Sequence, residues 1–123
     1  MHFTPLPLEG LVRVTLEPFR DNRGFLVEVF RKDLFLEHEL PAEFIHHYQS
    51  TSHKGVVRGL HFQHTPPIGK LLRITRGRGY IVTADIRHKS KTRGAWFAEE
   101  LSADVKSLLY VPAGFAIGMC ALE

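Results

Sequence analysis

Between Leu11 and Leu16 the chain reads LVRVTL, with apolar and polar positions changing places at almost every residue. That period of two is what a strand with one buried face requires. Glu17, Pro18 and Phe19 lead into a turn over Arg20 to Gly24, and Phe25 to Phe30 (FLVEVF) is a second β-prone run. One segment, Asp33 to Leu40, carries a helical signature. Asp33 is placed to cap it, Leu34, Phe35 and Leu36 give it an apolar surface, and Pro41 ends it. Phe44 to Ser52 returns to extended structure, and a turn at His53 to Gly55 precedes a strand running from Val57 towards Gln63. Further strands are predicted at Leu71 to Ile74, Tyr80 to Ile86, Gly94 to Leu101 and Ser107 to Val111, parted by turns at Arg76 to Gly79 and Ser102 to Lys106. Short strands, frequent turns and almost no helix predict an antiparallel sandwich or barrel.

Composition narrows this without changing it. A chain of 123 residues with 44% apolar and 24% charged positions has room for one domain and a modest core, spanning 1–123. Its apolar runs are too short to cross a bilayer, and MHFTPLPLEG lacks the basic-then-apolar layout of a secretory signal, so the expected location is the cytoplasm. The single Cys120 has no partner for an internal disulfide or a zinc cluster. Sixteen Lys and Arg against thirteen Asp and Glu give a net charge of +3, which favours anionic ligands. Nucleic acid is a poor match. The densest basic segment, Arg87 to Arg93 (RHKSKTR), has neither interleaved aromatics nor a recognition helix and reads as a solvated loop. Gly77 and Gly79 lie in a β-turn context, without the lysine and following helix of a phosphate loop.

The chemistry is concentrated from Val57 to Ile86, around Arg58, His61 and Lys70. In a regular strand His61 shares a face with Gly59 and Gln63, opposite Leu60 and Phe62, which aims the ring away from the expected core. A hairpin through the turn containing Pro66, Pro67 and Gly69 would carry the Lys70 ammonium back towards His61. A lone strand histidine is commonly structural. Its place in RGLHFQ, with a cation three residues before it and an amide two after it, favours acid-base work.

Five ordered runs then carry a resemblance: RDNRGFLVEVF, KGVVRGLHFQ, GKLLRITRG, ADIRHKSKTRGAW and LYVPAGFAIG. Together they resemble the dTDP-4-dehydrorhamnose 3,5-epimerase family over nearly the whole chain. The resemblance implies an all-β, antiparallel cupin-type jelly roll with one short helix near 33–40. It also implies inversion at C3, C5 or both of a dTDP-4-keto-6-deoxyhexose, by removing a proton beside the ketone and returning one. By the same resemblance His61 is the general base, Lys70 lines the pocket where enolate charge develops, and Arg58 contacts the ligand. Arg23 and Glu28 match nucleotide contacts that reach into a neighbouring subunit, implying a homodimer that exchanges its N-terminal segment. His46 and Tyr48 stand where the family has glutamine and asparagine at the nucleotide site, so base recognition there is expected to differ.

No cofactor is implied, and no metal either. His61 and His64 would face opposite sides of a regular strand, and His46 and His47 diverge likewise, unlike the paired histidines of metal-holding cupins. Ile81 replaces a family aspartate, and Ile117 replaces the histidine of a GFAHG motif. The family's acidic tyrosine and the aspartate that pairs with the catalytic histidine are expected beyond Glu123, with the closing strands, so the chain reads as a C-terminally shortened form. Two alternatives to epimerisation stand beside it: a cupin that binds nucleotide sugars but has lost or altered its catalysis, and a structural β-domain.

Overall fold

The computed structural model describes residues 1–123. Ten strands and one helix follow one another: β1 (His2–Pro5), β2 (Val12–Thr15), β3 (Phe19–Asp21), β4 (Gly24–Leu26), α1 (Lys32–Glu37), β5 (Val57–His61), β6 (Lys70–Arg73), β7 (Arg78–Asp85), β8 (Trp96–Ser102), β9 (Ser107–Val111) and β10 (Phe115–Ala121). They form two four-stranded antiparallel sheets, ordered β1-β2-β9-β6 and β5-β10-β7-β8, with β3 and β4 as a separate hairpin.

The alternation seen in the sequence now has an address. Leu109 and Val111 of β9, Ile81 of β7, Leu101 of β8 and Phe115 of β10 share one core with Leu8 and Leu11 between the two sheets. Val14, Leu108 and Tyr110 point the other way, into a second core closed by Phe35 of α1, Leu16 and Leu40. Strand β9 is therefore buried on both faces, as an unbroken apolar run should be. An ion pair from Arg13 on β2 to Glu99 on β8 joins the sheets at one side. β6 and β5 are the edge strands at the other end of each sheet.

Several expectations shift. The helix covers Lys32–Glu37 rather than 33–40, and its N-cap position is Arg31, without a side-chain cap bond. Asp33 is inside the first turn, where a fork from Arg31 engages its carboxylate and lowers its pKa to about 2. The helix stops well before Pro41, at a turn where Glu39 takes a positive φ of 57°. Of the run Phe25 to Phe30 only Phe25 and Leu26 are strand, at the end of β4, which pairs with β3 alone. Phe44 to Ser52 forms no ladder. β5 and β6 do not make a hairpin; the turn between them carries the chain from one sheet to the other. No helix is long and apolar enough to cross a membrane.

The basic loop is not free. Asp85 is completely buried at the end of β7 and accepts bonds from the Arg87 backbone N–H and guanidinium and from the hydroxyls of Ser90 and Thr92. Arg87 also donates to the Glu9 carbonyl and lies 4.7 Å from the centre of the Phe115 ring. These bonds hold the Asp85 carboxyl far below its usual range, Arg87 contributing most. Gly114 is required beside them, since a side chain there would run into Arg87.

Candidate active site

Side chains that pair in register on neighbouring strands point to the same face. On β10, Ile117 and Met119 pack against the core between the sheets, so they mark the inner face. Their partners on β5 are His61 and Arg58 respectively, which places both on that inner face too. A regular strand would send positions three apart to opposite sides. Here β5 spends two residues, Gly59 and Leu60, where β10 spends only Gly118, and this β-bulge restores the facing. The expectation that His61 turns away from the core is thus corrected. Leu60 takes the outer face instead, against Gly118.

Lys70 opens β6 and pairs with Val111, a core residue, while Leu72 on the same face also packs inward. Lys70 is half-buried and so also directed between the sheets. β5 and β6 are edge strands of different sheets and never pair, so Arg58 and His61 face inward from one sheet and Lys70 from the other. The register adds neighbours on one side of the exposed histidine: Ile117 is its direct partner, Thr83 follows on β7, and Ile81 pairs with Met119. Apart from the Thr83 hydroxyl, which donates to the Phe97 carbonyl at 3.1 Å, this wall is hydrocarbon. A guanidinium, an imidazole and an ammonium facing an apolar wall can hold an anionic ligand and exchange protons with it. Arg58 is already oriented, its guanidinium donating to Ser52 Oγ at 2.8 Å and to the Thr51 carbonyl at 3.3 Å.

The remaining sequence candidates lie elsewhere. Arg23 is at the tip of the β3–β4 hairpin, 86% exposed, with its fork on Asp21. Glu28 is exposed and 3.7 Å from Arg31. The two therefore do not pair with each other. The hairpin carries a shallow cleft of about 410 Å³ lined by Phe19, Arg20, Asp21, Arg23, Phe25 and Leu26. His46 and Tyr48 stand together with ring centres 5.4 Å apart, both exposed. Sequence reasoning missed Gly59, Thr83 and the buried Asp85. A lone glycine inside a strand pattern is the usual mark of a bulge, so Gly59 was the available signal for the first.

Two four-stranded antiparallel sheets packed face to face over a shared core define a cupin-type jelly roll. The family model described as dTDP-4-dehydrorhamnose 3,5-epimerase matches residues 5–123, and the chain belongs to that family. The dTDP-4-dehydrorhamnose 3,5-epimerase of Methanothermobacter thermautotrophicus is 38% identical over 121 residues, covering 98% of this chain and 65% of its own. That of Escherichia coli is 45% identical over 113 residues, covering 88% of this chain and 60% of its own. Among solved structures, the Legionella pneumophila dTDP-6-deoxy-D-glucose-3,5-epimerase in complex with dTDP-4-keto-L-rhamnose superposes with a TM-score of 0.94 at 32% identity, covering 99% of this chain and 65% of that one. The Sulfolobus tokodaii dTDP-4-dehydrorhamnose 3,5-epimerase gives 0.92 at 39% identity, covering 99% and 69%. The chain thus spans about two thirds of the length of these relatives.

Proposed function

We propose that the protein belongs to an epimerase that inverts C3, C5 or both of a dTDP-linked 4-keto-6-deoxyhexose. The observation that supports this reading is the inward register of Arg58 and His61 on an edge strand of one sheet and of Lys70 on an edge strand of the other. A C4 ketone acidifies the hydrogens on C3 and C5, because the electron pair left by the departing proton spreads onto oxygen as an enolate. His61 takes that proton as a neutral imidazole, and a proton delivered to the same carbon from the opposite face by an acid collapses the enolate to the inverted ketone. Lys70 meets the developing enolate oxygen with a fixed positive charge in a half-buried setting, where such a charge acts more strongly than in water. Arg58, tied to Ser52, holds the ligand near the ring.

The nucleotide end uses Arg23 for the diphosphate and Glu28 for the thymine N–H, with His46 and Tyr48 offering rings for stacking on the base. Exposed Phe19 and Leu26 make the β3–β4 hairpin suited to a second copy, so these contacts are supplied across a homodimer. Occupied as they are by Asp21 and Arg31, Arg23 and Glu28 exchange a weak surface pairing for the ligand.

The test is deuterium uptake at C3 and C5 of the dTDP-keto sugar in heavy water. Wild type is expected to exchange, and His61→Ala to slow exchange by about 10²–10⁴-fold with dTDP still bound. Equal exchange in both proteins contradicts the assignment. A second reading, binding without turnover, is favoured by Ile117 and Ile81, which put hydrocarbon beside the base where a polar group could orient it. Calorimetric dTDP binding with no exchange in wild type selects it.

A further inference from the structure

Gly59 departs from every pattern that holds elsewhere in β5. Its φ is +95°, in the region that L side chains avoid. A Cβ built on it would lie 2.5 Å from the Ile117 carbonyl oxygen and 2.8 Å from Gly118 Cα, both backbone atoms that cannot swing aside. Opposite it, a Cβ on Gly118 would lie 3.1 Å from Leu60 Cδ2 and 3.3 Å from the Arg58 carbonyl. The two glycines let β5 and β10 touch backbone to backbone at the bulge, with Arg58 and His61 on either side of that contact. Strand β5 is an edge strand with all its residues exposed, so no packing on its free side corrects a change of twist.

We infer that Gly59 is a positioning residue for the proposed reaction: its missing side chain seats the bulge that turns both Arg58 and His61 to the inner face. This rests on the epimerase reading for its consequence in catalysis, and on the register alone for its geometry. Adding one methyl at 59 lifts β5 from Ile117 and Gly118 or removes the bulge. If the bulge is lost, a regular register keeps one of Arg58 and His61 inside and sends the other out. If the strand lifts, the imidazole shifts relative to the sugar, and a displacement of about 1 Å can lower the rate about 100-fold.

Four proteins test this: wild type, Gly59→Ala, Gly118→Ala and Gly55→Ala. Gly55 also has a positive φ, +84°, yet nothing lies within 4 Å of its built Cβ, so it reproduces the backbone strain without the collision. The readouts are the nuclear Overhauser contact between the His61 ring and the Ile117 methyls, kcat for exchange at C3 or C5, affinity for dTDP alone, and Tm. Gly59→Ala is expected to lose the ring-to-methyl contact and about 100-fold in kcat while keeping dTDP affinity. Gly55→Ala should lower Tm and leave kcat unchanged.

The inference is overturned if Gly59→Ala keeps both contact and kcat, or if both variants lose kcat in step with Tm. Should Gly59→Ala fail to fold, Gly118→Ala decides. A weakened ring-to-methyl contact with reduced kcat and intact dTDP affinity supports the inference, and unchanged values overturn it. If wild type exchanges no proton, the epimerase reading fails, while the ring-to-methyl contact still decides the positioning role.

Discussion

At the scale of single residues, the site depends on what each side chain can do at its position on the inner face. Lys70 and Arg58 are both cations, but they are held differently. Arg58 is anchored by Ser52 and Thr51, whereas Lys70 enters from the opposite sheet, paired in register with Val111. A compact ammonium can approach one ketone oxygen closely, while a guanidinium spreads its charge over a plane. Lys70→Ala is therefore expected to lower kcat by about 10²–10³-fold, with a smaller change in KM. Lys70→Arg should recover only part of that loss. Steady-state kinetics on the dTDP-keto sugar measure both, and a change confined to KM would reduce Lys70 to a binding role.

At the scale of elements, the β3–β4 hairpin stands outside both sheets and is closed by the two-residue loop Asn22-Arg23. Phe19 and Leu26 pair across it and are 66% and 68% exposed, so an aspartate at either position displaces no packing within one chain. If the hairpin docks on a second copy, Phe19→Asp and Leu26→Asp should each weaken the dimer by more than about 1 kcal/mol, five- to tenfold in affinity, as read by sedimentation equilibrium. An unchanged dimer, or monomeric wild type, would remove that role.

The same scale shows what the sequence discloses. Near-alternation located β2, runs bounded by turn residues located β7 and β8, and SLLYV coincides with β9 residue for residue, because half-buried and doubly buried strands leave a trace in polarity. β1 was concealed by the prolines at 5 and 7, and β10 by Gly118, whose missing side chain serves the approach of β5. His61, Lys70 and Arg58 were recognisable as residues. Their shared facing was not, because it depends on the bulge at Gly59 and on a crossing between sheets. Both are set by contacts distant in sequence.

For the whole molecule, the core between the sheets and the Arg13–Glu99 pair hold the sheets together, while the second core fixes α1 on the outer face of one of them. Acid stability depends on Asp85, the fully buried carboxylate that ties the basic loop to β7 and through Arg87 to Glu9. Its folded pKa is depressed, so its contribution is complete above the ordinary carboxylate value of about 4 and falls away as pH drops below it. Tm should decline with acid below about pH 4, and Asp85→Asn should flatten that decline while lowering Tm at pH 7. The neutral-pH loss is expected to be roughly 3 kcal/mol, since removing one partner strands Arg87. Parallel Tm curves for the two proteins would exclude this origin of acid sensitivity.

The proposed chemistry joins all three scales in one arrangement, a base and a cation from different sheets meeting at one ketone. A crystal structure with the dTDP-keto sugar bound examines that arrangement directly. One His61 ring nitrogen should lie within about 3.5 Å of C3 or C5, and Lys70 Nζ within about 3.2 Å of the C4 oxygen. A sugar bound outside the sheets, or contacted by only one of these two side chains, would contradict it.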